Sequence, residues 1–413
     1  MRGCRYLFRR RTYNQVRPVV GSNGMYNGTK PAPVAWTVET GAQLLTALNQ
    51  ASGGQTIVLR GKSAGGNYAS GTGRKAQFPS KTFSSPVTIR AADHDDMPLF
   101  QGGESANWMR MALSNVVFDG IEFYDDETYA SPIDTRAIFY NAPTDSDNVT
   151  FRRCYLHGKA GTVYRDVGLR ALDWRGSTGL RIEDCIFSDL KSALNVQDDS
   201  TNTVVTGNSF LRIREHVMKA SGSFTNWEVS NNVFDGALPG WDGVTNDPYI
   251  EHADAAYIGY GTQSGFNLSD NLMISDVDHS HSQFLRYQNH ALNNENLPGI
   301  SNNVTVANNR LFGKTVIALA GVRGTGNMVS GNVVRGQTDG VYGEMTFMGI
   351  RAVQADFTYT GNDAEYLDEG QNNMVNGGGN IFTPTNRLAA VNRAEFEALA
   401  LARGLKTTLT VNI

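Results

Sequence analysis

Long apolar runs are missing from this 413-residue chain. No stretch of ~18 consecutive apolar residues occurs, which excludes a membrane-spanning helix. The N-terminus also lacks the apolar stretch and cleavage site of a secretory signal peptide, so the chain as given is expected to be neither inserted in a membrane nor exported by that route. Charge is scarce: Asp, Glu, Lys and Arg make up 18% of residues, and the net charge of −4 argues against a general nucleic-acid binder. Long helical patterns are few and coiled-coil heptads are absent, while 44 glycines and frequent Asn suit turn-rich β structure. Only three cysteines occur, Cys4, Cys154 and Cys185, too few to fix the redox compartment.

What is present is a repeat. Aligned on its first apolar residue, the unit recurs at Phe118, Phe151, Ile182, Val205, Val229, Leu268, Val306 and Val329. Five residues on, each copy is apolar again, at Phe123, Leu156, Phe187, Phe210, Phe234, Met273, Leu311 and Val334. Between them the column reads Ile121, Cys154, Cys185, then Asn208, Asn232, Asn271, Asn309 and Asn332. An Asn recurring between two core positions predicts side-chain amides stacked at a tight turn, each bonding the next copy. The intervals of 33, 31, 23, 24, 39, 38 and 23 residues have a floor of 23. About two dozen residues with β-branched and aromatic apolar positions make one turn of a solenoid of three short strands, with excess length in loops. A leucine-rich repeat also carries an Asn in an apolar pattern, but its coils need many leucines and a helix or tight turn. Here His216-Val217-Met218 and Ala256-Tyr257-Ile258-Gly259-Tyr260 read as extended.

The ends differ from the middle. Residues 1–36 form a basic, Gly- and Pro-rich arm containing Arg2, Arg5, Arg9, Arg10, Arg11 and Arg17. Thr40 to Ala51 has helical spacing and would cap the open end of the solenoid, followed by strands at Gln55–Leu59 and Pro86–Arg90. The solenoid extends over 37–385, and 386–413 holds a helix from Arg393 to Arg403 and a terminal strand from Leu405 to Ile413. Cys154 and Cys185 share one ladder column on successive coils, within disulfide reach, and are read as free buried thiols.

The capping helix, the entry Gly53-Gly54-Gln55-Thr56-Ile57-Val58-Leu59, the strand Ser85 to Ala92 and the Asn ladder resemble the right-handed parallel β-helix proteins of the pectate-lyase-like superfamily. The resemblance covers roughly 37–385 and implies an all-β, right-handed parallel β-helix with an N-terminal capping helix and a short C-terminal helix. Such helices host lyases, glycosidases, epimerases and viral spikes, so it implies a fold more than an activity.

Five of the seven histidines, His216, His252, His279, His281 and His290, fall within 216–290, where the two longest intervals also lie. Long loops on neighbouring coils wall a groove, and loops carry function more often than scaffold. Trp241, Tyr257 and Tyr260 are candidates for stacking on sugar rings, with His216, His279 and His281 beside them. Removing a proton next to a uronate carboxylate needs a base and a cation, either Arg or Ca²⁺, for the developing charge. Lys219 as base with Arg286 as clamp is one assignment; His252 with Tyr257 or Tyr260 is another, and Asp254 stands among the catalytic candidates. The stretch Glu215 to Ser221 is similar to the strand bearing the catalytic Lys in the chondroitinase B and alginate lyase family, although Ala220 here separates Lys219 from Ser221. A glycosidase would instead draw two carboxylates from Asp242, Asp247, Glu251, Asp254, Asp276 and Asp278. The last two, with His279 and His281, are also candidate metal ligands, but match no closed zinc pattern.

A β-helix with no export signal, a basic arm and an aromatic, His-rich groove looks like a virion-attached spike of a bacterial virus. The arm would dock to a virion component, and the helix would bind, and cut if catalytic, an acidic bacterial surface polysaccharide. Spikes of this kind are often homotrimers. The alternatives are a free extracellular or periplasmic polysaccharide lyase, and a non-catalytic decoration or adhesion protein.

Overall fold

The computed structural model describes residues 34–66, 68, 76–102, 109–125, 136–142, 146–160, 169–236, 254–275, 283–288, 290–291, 294–313, 315–320, 322–335, 349–353, 356–364, 366–368, 374–382, 393–408 and 410. Within them the chain winds as a solenoid of three parallel sheets, of 17, 11 and 11 strands. One coil shows the plan: Val204–Thr206 lies in the first sheet, Ser209–Ile213 in the second and Met218–Ser221 in the third. Each strand pairs in parallel with its equivalent one coil away, as in Val205↔Val229, Phe210↔Phe234 and Lys219↔Tyr257. The described exception is an antiparallel hairpin joining His290–Ala291 to Asn294–Asn302.

The two apolar columns of the repeat are the core. Phe118 and Phe151, in register on adjacent coils, stack at 5.3 Å, and Phe187, Phe210 and Phe234 stack at 5.0 and 5.2 Å. Parallel stacking places like beside like, so a flat ring on one coil selects a flat ring on the next.

Between the columns the chain must turn from the first sheet into the second inside two residues. The residue before each ladder position supplies the turn with a left-handed backbone: φ is 54° at Asp184, 71° at Gly207, 53° at Asn231, 58° at Asp270 and 56° at Asn308. Gly, Asn and Asp are the residues that adopt this region at least cost. The turn buries backbone groups, and the ladder satisfies them. Asn232 Oδ1 accepts from the Asn208 backbone N–H at 2.9 Å and the Asn208 amide at 3.0 Å. Its Nδ2 donates to the Val205 carbonyl at 2.9 Å and to Asn271 Oδ1 at 3.0 Å. The ladder continues past the sequence-read copies, through Asn362 to Asn380. At its start Cys185 N–H donates to Asn208 Oδ1 at 2.8 Å, and Cys154 N–H to Cys185 Sγ at 3.4 Å. Both thiols are free and buried, and burial pushes the Cys185 thiol well up.

The helix Gly41–Gln50 is held by a capping box between Thr40 and Gln43 and buries Leu44, Ala47 and Leu48 at the end of the core. Residues Val34 to Trp36, the last of those assigned by composition to the basic arm, belong to the strand Val34–Val38. The arm before them lies outside the described residues. At the other end the helix Arg393–Ala402 packs Phe396 and Ala400 on Val233, Leu272, Ile274 and Phe312 of the second sheet. The terminal strand expected from Leu405 is not formed at residues 405–408. There Lys406 N–H bonds Ser209 Oγ, Thr407 N–H bonds Thr410 Oγ and Thr408 N–H bonds Asp235, so no sheet ladder takes these donors. Fully buried Asp235 also receives the Arg393 guanidinium at 2.7 and 2.6 Å, clamping the segment down.

A second buried carboxylate, Asp119, ends the first-sheet strand Leu113–Asp119. Burial alone would raise its pKa, but hydrogen bonds from His94, Arg153 and Arg152 hold it well below the usual carboxylate range.

Two stability outcomes follow from these contacts. Asn232→Ala orphans a buried N–H as well as removing four hydrogen bonds, and is expected to cost about 2–4 kcal/mol in urea unfolding; a loss within error of zero contradicts the ladder's role. Because the Asp119 pKa is depressed on folding, its stabilisation is present above the unfolded carboxylate pKa of about 3.9 and lost as pH falls below it. Asp119→Asn should therefore be less stable than the parent at neutral pH, with the gap narrowing toward acid.

Candidate active site

The third sheet carries the candidate residues, and strand alternation decides which face water. Met218 and Ala220 point into the core, which turns Lys219 outward. On the next strand Ala256 and Ile258 are buried and Tyr257 is outward; on the following one Leu285 and Tyr287 are buried and Arg286 is outward. The register Asn195↔Lys219↔Tyr257↔Arg286 sets these four in one row across consecutive coils.

Tyr257 is the centre of this row. Lys219 Nζ and Arg286 Cζ, from the strands on either side, each lie 5.5 Å from its ring centroid. The His216 ring stacks on it at 5.0 Å with an interplanar angle of 24°. His216 Nδ1 in turn lies 3.1 Å from Asp254 Oδ2, and the Asp254 side chain is fully buried. Neither Asp254 oxygen has a hydrogen bond of good geometry, so the close approach to the imidazole is its main compensation among the described residues. Upstream in the row, Asn195 Nδ2 donates to Asp173 Oδ1 at 2.6 Å, and Arg170 lies 3.8 Å from the same oxygen. At the corner leading into the third sheet Glu215 is committed to Lys191 at 3.0 Å, both largely buried.

The structure brings together Lys219, Tyr257 and Arg286 on the surface, with His216 and Asp254 beneath. Asp254, one of the catalytic candidates, has its side chain fully buried beside His216 rather than on the outer face. Tyr260 is exposed but lies past the end of its strand, at the bend into the first sheet, where its carbonyl accepts from Gly222 N–H and Gln263 Nε2. Trp241, His252, His279 and His281, like Asp242, Asp247, Glu251, Asp276 and Asp278, lie outside the described residues. Among the described residues no three His, Cys, Asp or Glu side chains converge as metal donors, and no helix is long and apolar enough to cross a membrane. Sequence reasoning passed over Asn195 and Asp173. A signal existed: Asn195 and Lys219 each stand 13 residues before a ladder residue, Asn208 and Asn232, and Tyr257 stands 14 before Asn271.

This geometry supplies a solvent-facing phenol between two cations on rigid strands. Such an arrangement can bind an anionic group, neutralise charge that develops on it and move a proton at the phenol or the amine.

No family model and no curated protein matches the sequence. Among solved structures, the chain is similar to the GH136 lacto-N-biosidase from Eubacterium ramulus, with a TM-score of 0.51 at 12% identity over 85% of this chain and 68% of that one. A PL6 alginate lyase in complex with a trisaccharide gives 0.45 at 15% identity, over 84% and 61% of the two chains. The A-module of the Azotobacter vinelandii mannuronan C-5 epimerase AlgE6 gives 0.36 at 14% identity, over 82% and 93%. At these identities the likeness is one of backbone architecture: the chain has the right-handed parallel β-helix fold.

Proposed function

We propose that the outer row of the third sheet is a glycan site at which an acidic bacterial polysaccharide is bound and cut by β-elimination. The observation that carries this reading is the outward triad Lys219, Tyr257 and Arg286 on consecutive coils, both cations 5.5 Å from the phenol ring. Arg286 binds the uronate carboxylate and stabilises the charge that gathers there as the neighbouring carbon loses its proton. Lys219 takes that proton. As the carbon–oxygen bond to the next sugar breaks, the Tyr257 hydroxyl protonates the departing oxygen, and the flanking cations offset the charge the phenol acquires. His216, stacked on the ring and held by Asp254, fixes the ring's plane. A solved structure of similar fold is, by name, a lacto-N-biosidase, which agrees with a carbohydrate-active role.

On this reading the protein acts as the spike of a bacterial virus, with the basic arm as its docking segment. That placement rests on the sequence of residues 1–36. Loss of particle attachment with retained glycan binding after deletion of residues 1–33 would support it; attachment without them would refute it.

The test of the chemistry is ultraviolet absorbance of unsaturated uronate during incubation with alginate, pectate, chondroitin and capsular polymers. Lys219→Ala and Arg286→Ala should each lower kcat by about a hundredfold or more. Tyr257→Phe should lower kcat with little change in KM, since the ring and both cations remain. Asp254→Asn should act more mildly, by about tenfold, through the loosened His216. Full activity in both cation variants overturns the assignment. Glycan retention that depends on Arg286 without any unsaturated product makes the row a binding surface alone.

A further inference from the structure

Buried carboxylates in this fold are matched by cations, with one exception. Asp119 meets Arg152 and Arg153, Asp189 meets Arg212, and Asp235 meets Arg393. Asp254 is at least as buried as these. Yet among the described residues its two oxygens are the only carboxylate oxygens that are buried and accept no hydrogen bond. A carboxylate in that setting is strongly unfavourable unless a positive charge stands against it.

Two further donor atoms flank it. The register Met218↔Ala256↔Leu285, carried back two residues, sets His216, Asp254 and Gln283 side by side on consecutive strands of the third sheet. His216 Nδ1 lies 3.1 Å from Asp254 Oδ2, but the angles of this approach are not those of a hydrogen bond. On the other side Gln283 Oε1 is also buried and accepts no hydrogen bond. An amide oxygen and a carboxylate in neighbouring places cannot satisfy one another, since both only accept.

Donors that share a cation show these features. With bonds of about 2.1 Å, two ligands at right angles around one ion stand about 3.0 Å apart, and each lone pair is aimed at the ion rather than at the other ligand. We infer that His216, Asp254 and Gln283 bind one divalent transition-metal ion, Mn²⁺ or Zn²⁺ in kind, through Nδ1, the carboxylate and the amide oxygen. The donor set selects the class. Ca²⁺ takes about six to eight oxygens, whereas an imidazole nitrogen among oxygen donors suits Mn²⁺ or Zn²⁺. His216 then serves as the neutral imidazole, with its proton on Nε2. The ion ties three coils together and fixes the plane of the imidazole that stacks on Tyr257 at 5.0 Å. It lies behind the outward row, and its existence does not depend on the reading of that row as a glycan site.

The experiment is a Mn²⁺ titration of the chelator-treated full chain, followed by loss of the electron paramagnetic resonance signal of free Mn²⁺. One ion per chain should bind with a Kd of about 50 μM or below; Zn²⁺ should displace it and an equal concentration of Ca²⁺ should not. Asp254→Asn keeps the shape of the side chain and removes its charge, and should weaken this site at least about tenfold; Gln283→Ala should weaken it about threefold or more. Melting temperatures separate a lost ligand from a lost fold. Without metal, Asp254→Asn should melt no lower than the parent, because it no longer buries an unmatched charge, and it should lose the rise that about 1 mM Mn²⁺ gives the parent. A parent indifferent to Mn²⁺, with Asp254→Asn melting lower, leaves an imidazolium–carboxylate pair alone and overturns the site. Binding that neither substitution alters belongs elsewhere on the chain and overturns the assignment. Displacement by Ca²⁺ overturns the transition-metal class. No glycan enters these measurements, so failure of the proposed lyase chemistry leaves their outcome unchanged.

Discussion

Everything in this molecule depends on keeping buried backbone donors paired at the bend between the first and second sheets. A chain that turns within two residues beside a hydrophobic core leaves N–H and C=O groups where water cannot reach them. Here the Asn amide, with two donors and an acceptor, satisfies the bend on the coil before it and bonds the ladder amide of the coil after it at once. Each coil is thereby indexed to its neighbours. A slip by one residue would strand the amides and turn the apolar columns to solvent together.

That indexing lets loops grow without cost to the site. The coils from Asn232 to Asn271 and from Asn271 to Asn309 carry 39 and 38 residues against 24 for the coil before them, yet Lys219, Tyr257 and Arg286 stay in one row. Strands supply the row, so its side chains sit on a rigid backbone, and the buried His216 and Asp254 support the ring at its centre. The pairing of Lys191 with Glu215 at the nearby corner removes two further charges from play. A mutual arrangement of this kind is costly to disturb piecemeal, because each partner left alone is a buried charge.

The three faces of the solenoid have different fates. The second sheet would expose Val233, Leu272, Ile274 and Phe312, and the C-terminal helix covers them, anchored by Arg393 on Asp235. The third sheet instead presents Lys219, Tyr257 and Arg286 to solvent. Among the described residues, one face is thus covered by the C-terminal helix, and the other carries polar side chains.

The sequence by itself determined the fold, because the repeat's apolar columns and its Asn column are written locally. Phe187, Phe210 and Phe234 in one column, with Asn208 and Asn232 in the other, admit no packing but parallel stacking. It also named Lys219, Tyr257 and Arg286. It did not reveal that they share a row, since their spacings of 38 and 29 residues include loop insertions of unequal length. Nor did it distinguish outward Tyr257 from buried Asp254, three residues apart on the same strand: that depends on where the pleat meets the core. The residues at 405–408 read as strand from their β-branched content, but Asp235 and Ser209 took their backbone donors first. Local pattern decided which residues repeat; only the tertiary register decided which of them meet.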